Sequence, residues 1–153
     1  MKLVLLLLAV LGGALAGLQS VRIRGALLCN SAAEGDKAWL QLYDNDFIGD
    51  DMIDRAEVAF DATGRAEFDL SGAVSSSGWF FNTIDPVFKV YHDCDNSFNP
   101  CQIKYRRTIP DSYVNQGAEP TNIFEAGDIN LQLQGGGGSS SSSEEHDCNI
   151  FRF

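Results

Sequence analysis

Twelve residues near the middle of the chain, TIDPVFKVYHDC (residues 83–94), say most about its architecture. Residues 87–91 within them are rich in β-branched and aromatic side chains, which suit the pleated, half-buried surface of a strand. The segment ends at Cys94, so a disulfide near the end of the strand has to be considered. We therefore predict one strand of a β-rich domain here.

Outward from this segment, apolar and polar residues alternate with a period of two, as they do in half-buried strands. A turn at residues 61–64 separates two such segments, and Gly64 supplies the positive φ of a tight reversal, so a hairpin is expected there. Many short strands at this spacing predict an all-β two-sheet sandwich or a small barrel. The apolar positions are Val21, Ile23, Leu27, Ala38, Leu40, Leu42, Val58, Phe60, Ala66, Phe68, Leu70, Ile103, Tyr105, Ile109, Ile129, Leu131 and Leu133.

One short helix is expected after the strand around Tyr105. Pro110 suits a first helical turn, Asp111 suits the positive end of a helix, and Gly117 lies where a helix would end. The helix would have only about two turns, so its stability would depend on packing.

The start of the chain has the form of a secretory signal peptide. Lys2 precedes an apolar run over residues 3–11, and Ala14-Leu15-Ala16 provides an Ala-x-Ala cleavage site. The run is too short to span a bilayer, which needs about 20 apolar residues. We therefore predict that residues 1–17 are removed and that the product is secreted, extracellular and not a transmembrane protein.

The charge balance excludes one class of partner. The 153 residues include 11 basic and 21 acidic side chains, a net charge of −10, and loss of Lys2 makes it −11. A general nucleic-acid binder needs a basic face to displace counterions, so no nucleic-acid partner is expected. The same charge argues against simple attraction to anionic lipid headgroups.

Four cysteines, Cys29, Cys94, Cys101 and Cys148, remain in the mature chain. An even number in an exported domain predicts two disulfides, for which three connectivities are open. The spacing of Cys94 and Cys101 favours a short closed loop, which leaves Cys29 and Cys148 to join the first strand to the C-terminus. In the chain-entropy model that long loop stabilises the fold by roughly 4–5 kcal/mol.

Composition divides the rest of the chain into three parts. Residues 18–134 carry the strand pattern and form the sandwich domain. Residues 135–143, GGGGSSSSS, are a low-complexity linker without side chains to pack. Residues 144–153 form a C-terminal segment, which we expect to be tethered to the domain through Cys148.

Several motifs extend across the mature chain. They are Val21-x-Ile23-x-Gly25-x-Leu27-Leu28-Cys29, Leu42-Tyr43-Asp44-x-Asp46, Thr83-Ile84-Asp85-Pro86, Val90-Tyr91-His92-Asp93-Cys94, Pro100-Cys101, Ile109-Pro110-Asp111-x-Tyr113-Val114, Gly127-Asp128-Ile129-Asn130-Leu131 and His146-Asp147-Cys148. Together they resemble the nematode transthyretin-like family. The resemblance implies a secreted transthyretin-like sandwich, prealbumin-like and Ig-like with Greek-key connections, of about seven or eight strands with one short helix.

His92 beside Asp93 suggests an acid–base pair, but neighbours in a strand face opposite sides, so a structural histidine is the simpler interpretation. The transthyretin relatives include 5-hydroxyisourate hydrolases, which resemble transthyretin and use a His in the first strand and a C-terminal Tyr-Arg-Gly-Ser. This chain has Arg22 and Arg24 in that strand and ends in Phe153. We predict no catalytic residues, no cofactor and no enzymatic activity.

An acidic stretch follows the second strand, and calcium takes six to eight oxygen ligands. The stretch fails as an EF-hand, because Ile48 and Arg55 stand where that motif needs acids. We expect a solvated acidic loop and assign no metal site. The calcium candidates in it are Asp44, Asp46, Asp50 and Asp51.

Two groups of side chains are candidates for a ligand or partner surface. Trp79 and Phe80 follow a polar loop, and exposed aromatic side chains make good interface anchors. The alternatives are aromatic side chains that enter the core and strand faces that are merely solvated. The second group, outward in the alternation and able to form a basic patch, comprises Arg22, Arg24, Lys104 and Arg106.

These features predict a secreted extracellular binding protein. It would bind or bridge a cell-surface protein, a lipid or a small apolar ligand through its loops or a sheet face. The alternatives are a structural or secreted effector protein with no small ligand and, less favoured, a 5-hydroxyisourate hydrolase-like enzyme. The ligand and the oligomeric state stay open, because one sandwich fold supports many tasks.

Overall fold

The computed structural model describes residues 17–33, 35–45, 49–75, 83–96, 100–132 and 142–148. Within these ranges nine strands form two sheets that pack face to face, which confirms the predicted all-β sandwich. The strands are β1 (Leu18–Leu28), β2 (Lys37–Asp44), β3 (Asp51–Ala59), β4 (Arg65–Ser75), β5 (Pro86–His92), β6 (Gln102–Thr108), β7 (Asn115–Gln116), β8 (Phe124–Asn130) and β9 (Ser142–Asp147).

The first sheet is built on β1. On one side β1 pairs with β4 along its whole length in antiparallel register. On the other side Gln19 and Ser20 pair with β7, and the part from Ile23 to Leu28 pairs in parallel with β8. A Cβ atom at Gly25 would lie 2.5 Å from the carbonyl oxygen of Gly127, so the close approach of β8 requires glycine in β1.

The second sheet has the order β3-β2-β5-β6-β9, and its neighbouring strands are all antiparallel. Its central pair is β2 and β5, where Leu40 lies opposite Val90 and Leu42 opposite Phe88. These four side chains are buried, as the alternation predicts. The segment around residues 87–91 is therefore in the middle of the larger sheet.

The core is formed by the facing sides of the two sheets. The ring of Phe68 from β4 stacks on that of Phe88 from β5, with centroids 4.9 Å apart. Phe88 is completely buried, and burial of a side chain of that size is worth about 1.5–3 kcal/mol relative to exposure. The other large core residues that are almost completely buried include Ile23, Leu27, Leu40, Leu42, Leu70, Ile84 and Ile109.

The turn at residues 61–64 does not close a hairpin, so that prediction is wrong. β3 before the turn pairs with β2 in the larger sheet, whereas β4 after it pairs with β1 in the smaller one. The turn is tight: the amide of Gly64 donates to the carbonyl oxygen of Asp61 over 2.9 Å, and Gly64 has a φ of 74°. Each flanking strand turns one side towards the core. Because the two strands lie in opposite sheets, the turn connects the sheets instead of closing a hairpin within one of them.

The disulfide pairing also differs from the expected one. Cys29 is bonded to Cys94, and Cys101 is bonded to Cys148. Cys94 is buried and bonds across the sandwich to the end of β1, while Cys101 lies beside edge strand β9, which ends next to Cys148. The short spacing of Cys94 and Cys101 is thus less important than the directions in which their side chains leave the β5–β6 connection.

The structure also changes the predicted helix and the predicted boundary of the linker. The expected helix is a single 3-10 turn over Asp111–Tyr113, because Val114 returns to an extended conformation and Asn115 pairs with Ser20 of β1. β9 begins at Ser142, inside the segment predicted as a linker, and Cys148 is bonded to Cys101 before β6. The signal peptide lies outside the described residues except for Gly17. The described residues include no helix with the length and apolarity to cross a bilayer.

We expect Gly64→Ala to lower the free energy of unfolding by about 1–3 kcal/mol more than Gly117→Ala does. Both glycines have positive φ, but a Cβ at Gly64 would lie 2.3 Å from the carbonyl oxygen of Cys29, whereas a Cβ at Gly117 meets nothing within 4 Å. Urea denaturation of the oxidised proteins measures the difference. Equal losses for the two variants would contradict the packed inter-sheet turn.

Candidate functional site

The arginines proposed for a basic patch are neutralised on the outer face of the smaller sheet. Arg22 donates to Asp69, with Nε and Oδ1 2.8 Å apart, and Arg24 donates to Glu125, with Nε and Oε1 2.7 Å apart. These hydrogen bonds lower the pKa values of both carboxyl groups. Each arginine is thus paired with a carboxylate on a neighbouring strand, as in the cross-strand pairs that stabilise sheets.

Lys104 and Arg106 lie on the outer face of the other sheet, so the structure does not bring the four basic residues together. Lys104 forms an ion pair with Glu145 of β9. Arg106 donates from Nη2 to Oδ1 of Asn45 over 3.4 Å. The aromatic candidates, Trp79 and Phe80, lie outside the described residues.

The acidic stretch is only partly a loop. Asp44 is buried at the end of β2 and accepts a hydrogen bond from the amide of Asp85 over 2.8 Å. Asp50 pairs with Lys89 at 2.8 Å, and Asp51 is the first residue of β3. Asp46 lies outside the described residues. In the described ranges no three His, Cys, Asp or Glu side chains are placed to hold a metal ion together.

His92 is completely buried on the inner face of β5. Its Nδ1 accepts a hydrogen bond from the amide of Cys94 over 3.2 Å, and burial lowers the pKa of the imidazole to about 4. The carboxylate of Asp93 accepts instead from Asn96 and Gln102, both over 3.4 Å. His92 and Asp93 therefore do not form an acid–base pair. The neutral imidazole instead accepts a backbone hydrogen bond just after the end of β5.

A pocket of about 400 Å³ opens at the end of the sandwich where β1 and β5 finish. This volume is within the range of small-molecule sites, roughly 300–1,000 Å³. We call it the Trp39 pocket. Its lining residues are Cys29, Ser31, Ala32, Gly35, Asp36, Lys37, Trp39, Phe60, Asp93 and Cys94.

Trp39 provides the aromatic wall of this pocket. It lies on the outward side of β2, between Glu57 of β3 and Tyr91 of β5. Its indole Nε1 donates to Oε2 of Glu57 over 2.9 Å, and Lys37 forms an ion pair with the same carboxylate. The hydrogen bond from Lys37 lowers the pKa of Glu57, so the carboxylate that holds the indole is charged at neutral pH.

The floor of the Trp39 pocket is apolar and rigid. The Cys29–Cys94 disulfide and the side chain of Phe60 lie in the core, with exposed fractions of 5% or less. The hydroxyl of Ser31 lies 3.3 Å from Sγ of Cys29 and accepts from the amide of Asp95 over 3.2 Å. An apolar body that enters the pocket would therefore meet surfaces that are already fixed in place.

Acidic side chains form the rim. Asp36 anchors its own loop, because its Oδ2 accepts from the amide of Ala33 over 2.7 Å. The backbone of Asp36 and Gly35 pairs with that of Phe60 over 2.7 and 3.0 Å, which fixes the loop on β3. Asp93 lies on the rim as well. Carboxylate oxygens accept several hydrogen bonds each, so both groups retain capacity for a donor on a ligand.

The sequence alone did not identify this pocket. The alternation places Trp39 only on one side of a strand, and the cysteine spacing favours a pairing other than the disulfide that forms the floor. The available signal was local: a tryptophan on the outward side of β2, two residues after the charged pair Asp36 and Lys37. Tryptophan is enriched among the residues that dominate binding interfaces, so an outward tryptophan near a loop marks a candidate binding surface.

A sequence profile of the transthyretin-like family matches residues 24–110. Transthyretin-like protein 5 of Caenorhabditis elegans is 38% identical over 136 residues, which cover 86% of this chain and 91% of that protein. Transthyretin-like protein 33 of the same organism is 36% identical over 135 residues, which cover 85% and 86% respectively. The chain therefore belongs to the transthyretin-like family, and the resemblance found in the sequence is confirmed.

The names of these relatives describe transthyretin-like proteins and not enzymes. Two disulfides and membership of this family fit an extracellular protein. Among solved structures, a 9R-lipoxygenase from Cyanothece PCC8801 aligns with a TM-score of 0.34 and 16% identity over 76% of this chain and 17% of that chain. A likeness this low carries no argument about function.

The buried histidine makes a prediction about acid stability. The imidazole has a pKa of about 4 when folded and 6.5 in its ordinary state, so unfolding takes up a proton between these values. Stability from neutral His92 is therefore present above pH 6.5 and is lost as the pH falls towards 4. Between pH 7 and 4.5 the protein should lose about 2 kcal/mol more unfolding free energy than His92→Asn.

Asparagine is the matched replacement, because its side-chain oxygen can accept from the amide of Cys94 and does not titrate. Urea denaturation of both proteins at the two pH values gives the comparison. Parallel pH profiles would show that His92 is not held neutral by burial.

Proposed function

We propose that this protein is a secreted extracellular binding protein whose Trp39 pocket takes a small ligand with an aromatic body and a hydrogen-bond donor or positive charge. Secretion is supported by the signal-peptide pattern before Gly17 and by two disulfides. Binding is supported chiefly by one observation: a tryptophan wall, held by Glu57, faces a pocket with a disulfide and phenylalanine floor.

The aromatic part of the ligand follows from the wall and floor. An indole presents a large flat apolar surface, and ring pairs in contact gain about 0.5–1.5 kcal/mol beyond the burial of area. Trp39 is half-buried and its ring is fixed by the hydrogen bond to Glu57, so little conformational entropy is lost when a ligand packs on it.

The charge of the ligand follows from the rim. Asp36 and Asp93 both line the pocket, and the one lysine that lines it, Lys37, is already paired with Glu57 outside the pocket lining. The potential at the entrance is therefore negative and favours a cation or a donor over an anion. An anionic lipid headgroup is the least suitable of the ligands that the sequence left open.

The broad depression on the smaller sheet is a weaker candidate for ligand binding. It lies over Ala26 and has a volume of about 580 Å³. Its walls are the paired charges of Arg24 with Glu125 and Arg65 with Asp128, which are 2.5 and 3.0 Å apart. A ligand there would have to break ion pairs that are already made, and the one aromatic side chain in the lining, Phe68, is only 6% exposed.

Isothermal titration with two probes that share one ring tests the proposal. Tryptamine carries an ammonium group and 3-indolepropionate carries a carboxylate on the same indole. We expect tryptamine to bind with at least fivefold higher affinity, and we expect salt to weaken it, since the rim is solvent-exposed. Trp39→Leu should lower tryptamine affinity about tenfold, equivalent to about 1.4 kcal/mol.

Tyr43→Leu is the matched control, because Tyr43 lies on the same side of β2 but outside the Trp39 pocket. It should leave tryptamine affinity within a factor of two, and circular dichroism should show that both variants fold. Equal affinity for both probes, or unchanged tryptamine binding in Trp39→Leu, would reject the assignment of the site.

A further inference from the structure

The edge of the larger sheet is occupied by the chain's own C-terminal strand. β9 pairs antiparallel with β6, from Arg107 opposite Ser142 to Gln102 opposite Asp147. β6 carries three cationic side chains, Lys104, Arg106 and Arg107, while β9 reads SSEEHD and carries three acids. The two strands are therefore complementary in charge as well as in backbone hydrogen bonding.

The outer face of this pair carries ion pairs around the partly buried Lys104, whose partner Glu145 is exposed and whose partner Asp147 is mostly buried. Lys104 pairs with Glu145 directly opposite it, and its Nζ lies 3.9 Å from Oδ2 of Asp147. β9 contains no apolar side chain. The ion pair with the exposed Glu145 contributes little and the contact with Asp147 is long, so β9 is held mainly by its backbone ladder and by a covalent bond.

The inner face of the pair is imperfect. Nε2 of His92 and Oε1 of Glu144 lie 3.8 Å apart, and neither atom has a hydrogen-bond partner in the described part of the chain. Because Nδ1 of His92 accepts from Cys94, its proton is on Nε2 and faces the Glu144 carboxylate without reaching it. Closure of β9 thus leaves two buried polar groups unsatisfied, which favours release.

The covalent bond that holds β9 is the accessible one of the two disulfides. Cys148 is exposed and Cys101 is half-buried, whereas Cys29 and Cys94 are only 1% and 5% exposed. Thiol–disulfide exchange requires a thiolate to reach a sulfur atom, so a reductant attacks Cys148 well before the core disulfide.

We propose that the β6 edge is a strand-addition site for an extended acidic peptide, and that β9 is its internal occupant, locked by Cys101–Cys148 and released by an external dithiol. A thiolate of the dithiol attacks Sγ of Cys148, and the sulfur of Cys101 leaves. The second thiol of the reductant then displaces Cys148 and closes its own disulfide. Two electrons and two protons pass from the dithiol to the two cysteines.

The partner is defined by what β9 supplies. A peptide in the same register would place one acid opposite Lys104 on the outer face and another towards His92 on the inner face. Arg106 would add a further cation on the outer side. Strand addition of this type gains affinity from the main chain and specificity from alternate side chains. This site is separate from the Trp39 pocket, so the small-ligand titration and the peptide titration test the two proposals separately.

The first experiment tests whether the Cys101–Cys148 disulfide holds β9 in place. Brief treatment of the full chain with dithiothreitol, followed by iodoacetamide, should alkylate Cys101 and Cys148 at least tenfold faster than Cys29 and Cys94. Hydrogen exchange in the reduced protein and in Cys101→Ser/Cys148→Ser should then rise at least tenfold at residues 142–147, with the β2 and β5 amides unchanged. Unchanged protection of β9 in both forms would overturn the proposal.

The binding site is tested with a fluorescein-labelled peptide of sequence SSEEHD. The receptor is Cys101→Ser/Cys148→Ser with Glu144→Lys and Glu145→Lys. In this variant the lysines introduced into β9 are repelled by the cations of β6, so the β6 edge is left open. Anisotropy should show at least tenfold tighter binding of this peptide than of SSKKHK, and no binding to the oxidised natural chain. If the quadruple variant does not fold, the reduced and alkylated natural chain replaces it. Equal affinity for the two peptides would reject the acidic-strand site.

Discussion

The disulfide between Cys29 and Cys94 is the constraint on which this structure depends. It joins the end of β1 in one sheet to the end of β5 in the other, with Cα atoms 5.8 Å apart and both sulfurs in the core. The bond spans 65 residues, so the chain-entropy model gives it roughly 4 kcal/mol of stabilisation. Its position also explains the Trp39 pocket, because the sulfur atoms form a fixed floor between the two sheets at the end where the connecting loops diverge.

The strand faces could be predicted from the sequence, but their partners could not. Alternation correctly placed Ile23, Leu40 and Phe68 in the core, because a period of two is set within one strand. The turn at residues 61–64 looked like a hairpin, since a tight turn has the same local chemistry whether it stays in one sheet or crosses to another. The cysteine pairing failed for a similar reason: the directions of Cys94 and Cys101 depend on neighbouring strands that are distant in sequence.

The functional surfaces show the same division between local and tertiary information. The basic residues of β1 looked available in the sequence, but Asp69 and Glu125, from strands far along the chain, neutralise them. Trp39 looked like an ordinary strand residue until Glu57 and the disulfide were placed beside it. The larger sheet thus carries both proposed binding regions: the Trp39 pocket at one end of β2 and the edge of β6 that β9 covers. Tyr91, paired with Trp39 on one side and Lys104 on the other, lies between them.

The most direct test is a disulfide map of the oxidised protein by mass spectrometry of non-reduced peptides. The pocket floor and the release of β9 both require Cys29 joined to Cys94 and Cys101 joined to Cys148. We expect only these two linked pairs. Detection of a peptide pair that links Cys94 to Cys101, or Cys29 to Cys148, would show that the Trp39 pocket has no disulfide floor and that β9 is not held by Cys101.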